Sequence, residues 1–284
     1  MILTQDSLPT YFTIANPDNS WYKEPTNTFN FIGNNSRTLV VTIGDSYTWG
    51  SDISQVNRDD NFRIENVYGR IVSRELDSDW LNLGLCAQGN FWIADMVKEL
   101  SIIISKLEYD KIYVICTFTG VGRWFNTKFD RHINYIKWFK DNISQADDFN
   151  KLFVMLNSEC IDSILKSLDN FPDVTLKIGT NFVDQIGFDK LLPNQNLSTP
   201  WYKLMDIDDN QTVFACLTYE RLSMATDFLD SKYHSTFKLW FLEQSKKINL
   251  RFNLLNNSML FRNYHPLAPG HKIWANYILE NLNI

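Results

Sequence analysis

The chain has 284 residues, of which 44% are hydrophobic and 21% are charged, a composition typical of one large globular domain. Its 33 acidic and 27 basic residues give a net charge of −6, and no basic run occurs. This distribution argues against nucleic acid as a partner, because binding to phosphates needs clustered Lys and Arg.

The first residues lack the basic and apolar regions of a signal peptide, and no apolar stretch approaches the length of a membrane span. The sequence therefore predicts a soluble protein that is cytoplasmic as synthesised. Four widely spaced cysteines form no CxxC pair and are expected to be buried free thiols: Cys86, Cys116, Cys160 and Cys216. Acids and histidines are not clustered at ligand spacing, so no metal or cofactor is predicted.

The first third of the chain alternates between strand and helix patterns. Residues 1–36 are polar and turn-rich and predict an N-terminal arm with little regular structure. The elements expected after it are a strand at 38–43, a helix at 63–76, a strand at 80–84, a helix at 91–107 and a strand at 111–119. This alternation predicts an α/β fold, a three-layer α/β/α sandwich around a parallel sheet.

The remainder of the predicted domain, which spans 37–284, is less regular. The patterns favour helices at 131–142, 147–168, 235–247 and 271–282, and strands at 174–179 and 212–217. An irregular insertion is expected around 180–209.

A candidate nucleophile follows the first predicted strand, in the segment Gly44-Asp45-Ser46. Serine at this point lies at the carboxyl edge of a parallel sheet, where open α/β folds place their ligands. Asp45 would cap or brace the turn. The alternative is an ordinary turn, since all three residues are turn formers.

A candidate base is His265, on a loop directly before the last helix, with Pro266, Pro269 and Gly270 following it. Histidine is the usual general base for a serine hydroxyl. His132 and His234 fall in predicted helices with polar neighbours and are interpreted as surface residues, and His271 as a first-turn residue of the last helix.

Three segments together resemble the SGNH hydrolases, also called GDSL esterases and lipases. Gly44 to Gly50 resembles the first block of that family, Asn82-Leu83-Gly84 the second, and His265-Pro266 with Gly270-His271 the last. The resemblance implies a flavodoxin-like sheet of order 2-1-3-4-5. It also implies a Ser46 nucleophile, a His265 base, and an oxyanion hole formed by the backbone N–H groups of Ser46 and Gly84.

Two departures from the family pattern stand out. The third block normally has an asparagine as a second oxyanion donor, but here the strand end aligns glycine with it, which leaves Thr119 or Asn90 as substitutes. The variant is similar to SGNH-like proteins of tailed phages and polysaccharide loci, where a Thr-rich strand end and a nearby Arg, here Arg123, replace the block. This resemblance implies that the protein could also be part of a virion or an extracellular assembly.

The second departure is the acid, which the family places three residues before its histidine. Arg262 occupies that position, and Asn263 is the nearest stand-in. Asparagine can orient an imidazole but cannot stabilise an imidazolium, and the Asp-to-Asn exchange in the serine-protease triad costs roughly four orders of magnitude in turnover.

Three functions fit these observations. The first is a serine esterase or O-deacetylase acting on an acylated carbohydrate or small ester through a Ser46–His265 dyad. The second is a catalytically weakened module that binds glycans or has a structural role, and the third is an acyltransferase. Transfer would need water exclusion by aromatic residues near the site, namely Tyr47, Trp49, Phe91, Trp92 and Trp124. Trp49 and Trp92 either line the pocket or pack on the sheet edge.

Overall fold

The structure is a computed structural model. It describes residues 3–8, 12, 29–53, 60–86, 88–119, 149–181, 187–205, 261–262 and 265–282. The helices predicted at 131–142 and 235–247 and the strand predicted at 212–217 lie outside the described residues.

Seven strands and seven α-helices occur among the described residues. The strands are β1 (Asn30–Ile32), β2 (Thr38–Gly44), β3 (Asp79–Gly84), β4 (Lys111–Phe118), β5 (Val174–Thr180), β6 (Phe261–Arg262) and β7 (His265–Pro266). The helices are α1 (Ser46–Trp49), α2 (Asp60–Asn66), α3 (Tyr68–Glu75), α4 (Asn90–Ile104), α5 (Phe149–Leu168), α6 (Trp201–Leu204) and α7 (Ala268–Asn281). Two 3₁₀ turns are Gln5–Ser7 and Phe188–Lys190.

The main sheet has the order β1-β3-β2-β4-β5. β3, β2, β4 and β5 are parallel, and β1 pairs with β3 in the antiparallel direction. The parallel strands therefore follow the expected order 2-1-3-4, and the α/β class is confirmed. β1 is a difference, because it lies in the arm for which little regular structure was predicted.

Helices cover both faces of the sheet and create two apolar cores. Alternate residues of β2 face opposite sides: Leu39 and Val41 pack with α4 and α5, whereas Val40 packs with α3, α6 and α7. This alternation is what period-2 strand geometry requires of a sheet that is buried on both faces. The predicted three-layer sandwich is thus confirmed.

The predicted helix at 63–76 is two helices. Val67 has an extended backbone (φ −70°, ψ 144°) and separates α2 from α3. The N–H of Tyr68, at the start of α3, donates to Nδ1 of His271 in α7 at 3.3 Å. A contact between segments about 200 residues apart accompanies the break, which the helical periodicity did not indicate.

The region expected to be an insertion contains short elements where it is described, from 187 to 205. They include the 3₁₀ turn, α6, and a parallel bridge between Ile178 and Asn196 at the edge of the sheet. The division of the chain into an arm ending at residue 36 and a domain from 37 to 284 stays a prediction.

Candidate active site

The turn that carries Ser46 is closed at both ends. Asp45 is the N-cap of α1, and its Oδ1 accepts a hydrogen bond from the Tyr47 N–H at 2.9 Å. Gly50 ends the helix with a left-handed backbone (φ 91°), and its N–H donates to the Ser46 carbonyl at 2.9 Å. Glycine suits this position because other residues are strained at positive φ. Ser46 is therefore held at the first position of a short helix, directly beyond the carboxyl end of β2.

His265 reaches Ser46 from the opposite end of the sequence. Its Nε2 lies 2.9 Å from the Ser46 Oγ, although the two residues are 219 positions apart. β7 carries the histidine and pairs with β6 in the antiparallel direction, with Arg262 opposite His265 in the register. The structure thus brings the predicted nucleophile and the predicted base within hydrogen-bonding distance.

The other imidazole nitrogen faces a carboxylate that the sequence analysis missed. Nδ1 of His265 lies 3.2 Å from Oδ2 of Asp52. The side chain of His265 is 17% exposed and that of Asp52 is 44% exposed. Asn263, the predicted stand-in for the acid, lies outside the described residues, and so does Arg123. Ser46, His265 and Asp52 together have the connectivity of a Ser-His-Asp triad.

Aromatic rings pack beside the imidazole. The centroid of the buried Tyr47 ring lies 5.3 Å from that of His265, with an angle of 57° between the ring planes. Trp201 packs edge-on against Tyr47 at 5.6 Å. These contacts restrict the positions that the His265 ring can occupy, since interior side chains are close-packed.

Gly84 lies where the end of β3 packs against α1. Its N–H donates to the Asn82 Oδ1 at 2.9 Å, so this donor is engaged within the strand end. A Cβ atom at Gly84 would lie 2.6 Å from the Trp49 N, closer than atoms approach in proteins. The structure therefore requires glycine here because β3 passes directly against α1. The assignment of Gly84 as an oxyanion donor stays a prediction.

Asn90 is also committed to structural hydrogen bonds. Its amide nitrogen donates to the Thr119 carbonyl at 3.2 Å and to the Asn157 Oδ1 at 2.9 Å. Its Oδ1 accepts from the Thr119 N–H at 2.9 Å. Both amide hydrogens are used, so Asn90 links α4, the end of β4 and α5. Its part as an oxyanion donor stays a prediction.

The hydroxyl of Thr119 differs from these groups. Thr119 is 2% exposed, and its Oγ1 has no hydrogen-bond partner among the described residues. A buried hydroxyl without a partner costs stability, so such a group calls for an explanation.

Asp45 and Trp49, also named as binding candidates, contact protein groups. Asp45 is fully buried and accepts a second hydrogen bond from the Asn181 Nδ2 at 3.2 Å, which fits the bracing role. The ring of Trp49 lies 4.0 Å from the Arg63 guanidinium carbon, and Nη1 of Arg63 donates to the Trp49 carbonyl. Burial lowers the pKa of Arg63. Asp45 and Trp49 therefore stabilise the turn that carries Ser46 through contacts with other protein groups.

Trp92, the other ring considered for the pocket, belongs to the core between the sheet and α4. It is 5% exposed, and its ring centroid lies 6.5 Å from that of Phe29. The packing interpretation of this residue therefore fits the structure.

Buried hydroxyls connect the nucleophile turn to the sheet. Tyr68 Oη lies 3.1 Å from the Thr48 Oγ1 and 2.9 Å from the Thr117 Oγ1. Burial raises the pKa of the Tyr68 phenol, which keeps it neutral and able to donate. The Asn82 Nδ2 adds a hydrogen bond to the Thr48 carbonyl at 3.1 Å. α1 is therefore tied to β3 and β4 as well as to β2.

The fold and the site together match the expectation drawn from the sequence. The chain is an α/β protein with the sheet order that the SGNH resemblance implied, and a serine and a histidine meet at the carboxyl edge of its central strand. No helix among the described residues is long and apolar enough to cross a membrane.

Comparison with known proteins finds similarity in structure only. No protein-family model and no curated protein matches the sequence. Solved structures that are similar include a lipolytic protein of the G-D-S-L family from Veillonella parvula (13% identity, TM-score 0.37, covering 86% of this chain and 97% of that one). Others are an acetylxylan esterase from Geobacillus stearothermophilus (14%, 0.34, 89% and 96%) and an alpha/beta hydrolase enzyme from the metagenome of Lake Arreo, Spain (14%, 0.33, 89% and 99%). At these identities and TM-scores the similarities assign no activity.

Proposed function

We propose that the chain is a divergent SGNH/GDSL-type serine esterase or O-deacetylase that acts on an acylated carbohydrate or a small ester. The observation that carries the proposal is the 2.9 Å separation between the Ser46 Oγ and the His265 Nε2. A serine hydroxyl is a weak nucleophile until an adjacent base accepts its proton, and this distance is within the range that such a transfer needs.

The reaction proceeds in two halves. The Ser46 Oγ attacks the ester carbonyl carbon while its proton passes to the His265 Nε2. The tetrahedral intermediate collapses, the bond to the leaving alkoxide breaks, and His265 returns the proton to that oxygen. Water then attacks the acyl-serine ester with His265 again as base, which releases the acid and restores the Ser46 hydroxyl.

The negative charge on the carbonyl oxygen needs hydrogen-bond donors. The Ser46 N–H belongs to the first turn of α1, where N–H groups have no acceptor within the helix. Thr119 supplies the second donor in this proposal, because its buried hydroxyl lacks a partner among the described residues. The proposal prefers Thr119 to Gly84 and Asn90, because the donors of those two residues already make hydrogen bonds within the protein.

Ester turnover by matched serine variants tests the proposal. Wild type is expected to hydrolyse p-nitrophenyl acetate or an acetylated oligosaccharide, and Ser46→Ala to lose at least about 10³-fold of the turnover. Ser51→Ala is the control, because Ser51 lies in the same turn with its Oγ 2.9 Å from the Cys86 Sγ. Equal turnover by Ser46→Ala and wild type would contradict the proposal. Glycan binding without turnover would favour the non-catalytic module.

A further inference from the structure

We propose that Asp52 is the positioning residue for His265, so that one turn supplies both the nucleophile and the acid of this site. The inference rests on the proposed function and deepens it. The family pattern places the acid next to the histidine, at a position that Arg262 occupies here. In this chain the carboxylate instead comes from six residues after the nucleophile.

The backbone of the turn explains how Asp52 returns to the site. After α1, the left-handed Gly50 reverses the chain, and the Ser51 N–H donates to the Ser46 carbonyl at 2.9 Å. Asp52 itself has a left-handed backbone, with φ 55°. A residue other than glycine is strained in this region, although aspartate tolerates it better than most. This conformation accompanies the placement of the carboxylate against the His265 Nδ1.

The contact fits the task of a triad acid. A carboxylate at Nδ1 favours the tautomer with its proton on that nitrogen, which leaves the Nε2 lone pair facing the Ser46 hydroxyl. The same carboxylate stabilises the imidazolium that forms when His265 accepts the serine proton. Each imidazole nitrogen therefore faces one end of the same turn.

Other titratable groups near the imidazole do not duplicate this contact. The Asp45 carboxylate accepts from the Tyr47 N–H and from Asn181. Burial, together with the nearby His265, lowers the pKa of His271 to about 3, which keeps that residue uncharged near neutral pH. Tyr47 contributes a ring face to the packing. Asp52 is the carboxylate that the described residues place against Nδ1.

Charge-removing substitution is the direct experiment. Asp52→Asn is expected to lower kcat by at least about 10²-fold, less than the 10⁴-fold seen for a buried triad aspartate because this side chain is 44% exposed. KM is expected to change little. Asp52→Glu, which keeps the charge, should recover part of the rate.

Asp77→Asn is the matched control, because Asp77 is also a left-handed aspartate (φ 47°), in an exposed turn before β3. Its kcat and KM should equal those of wild type. Should Asp52→Asn fail to fold in a thermal unfolding assay, Asp52→Ser takes its place. A kcat within threefold of wild type, or an effect confined to KM, would overturn the inference. The dependence on Ser46 would then still stand, so the two failures are distinguishable.

Discussion

The two sides of Ser46 are built differently. On the base side, formed by His265 and Asp52, distant parts of the sequence meet with each imidazole nitrogen engaged. The oxyanion side is formed by the candidate donors Gly84, Asn90 and Thr119. There the Gly84 N–H and the Asn90 amide already make hydrogen bonds within the protein, and the Thr119 hydroxyl has no partner among the described residues. Motif residues therefore locate the candidate site, whereas the contacts they make decide which donors and acceptors are available for the proposed chemistry.

The largest expected effect tests the base side. His265→Gln should lower kcat by about 10⁴-fold or more, because no group then accepts the Ser46 proton. Steady-state ester hydrolysis measures this loss, and circular dichroism checks the fold. His265→Gln turnover within tenfold of wild type would show that another group acts as the base.

The oxyanion side is tested by Thr119→Val, which removes the hydroxyl and keeps the shape. We expect kcat to fall by about 10²-fold, the effect of losing one oxyanion donor. The unfolding free energy should stay the same or rise, because a buried hydroxyl that has no partner among the described residues is removed. An unchanged kcat would remove Thr119 from the oxyanion hole.

Asn90→Ala, on the same side of the site, should lower the stability of the protein more than its turnover. It removes three buried hydrogen bonds and is expected to lower the unfolding free energy by about 3 kcal/mol. Urea denaturation measures this loss. A stable Asn90→Ala protein with greatly reduced turnover would return Asn90 to the catalytic machinery and contradict the comparison.

A smaller effect concerns His271, the histidine that stays out of the chemistry. Its pKa is lowered to about 3 from an ordinary value of 6.5, so the unfolded chain binds a proton that the folded chain does not as the pH falls below 6.5. Its stabilisation is therefore present above pH 6.5 and is lost as the pH falls toward 3. His271→Asn keeps an acceptor for the Tyr68 N–H and removes the titration.

The stability advantage of wild type over His271→Asn should shrink by about 2 kcal/mol between pH 7 and pH 5. Urea unfolding at the two pH values measures it. An advantage that stays constant with pH would show that His271 is not held neutral by burial.

Much of the fold was predictable because strong apolar patterns mark β2, β3, β4, β5, α4 and α5. β1 was not, since it is a three-residue edge strand in a turn-rich segment. The last helix begins at Ala268, three residues before the predicted start, because Pro269 is tolerated in a first helical turn.

The site was predictable as far as its motifs reach. Ser46 and His265 were named from turn chemistry, position and resemblance, and the structure places them together. Asp52 was not named, because its part depends on two left-handed residues that fold the loop back, and Gly50-Ser51-Asp52 is indistinguishable in sequence from an ordinary turn. The hydrogen bond from the Gly84 N–H to Asn82 was not predicted, because a motif does not reveal which N–H groups are already bonded.

Reaction with a fluorophosphonate probe, followed by mass spectrometry of the peptides, tests the central claim most directly. The account predicts one adduct in wild type, on the peptide that contains Ser46, which is lost in Ser46→Ala and kept in Ser51→Ala. Absence of an adduct in wild type, or an equal adduct in Ser46→Ala, would contradict it.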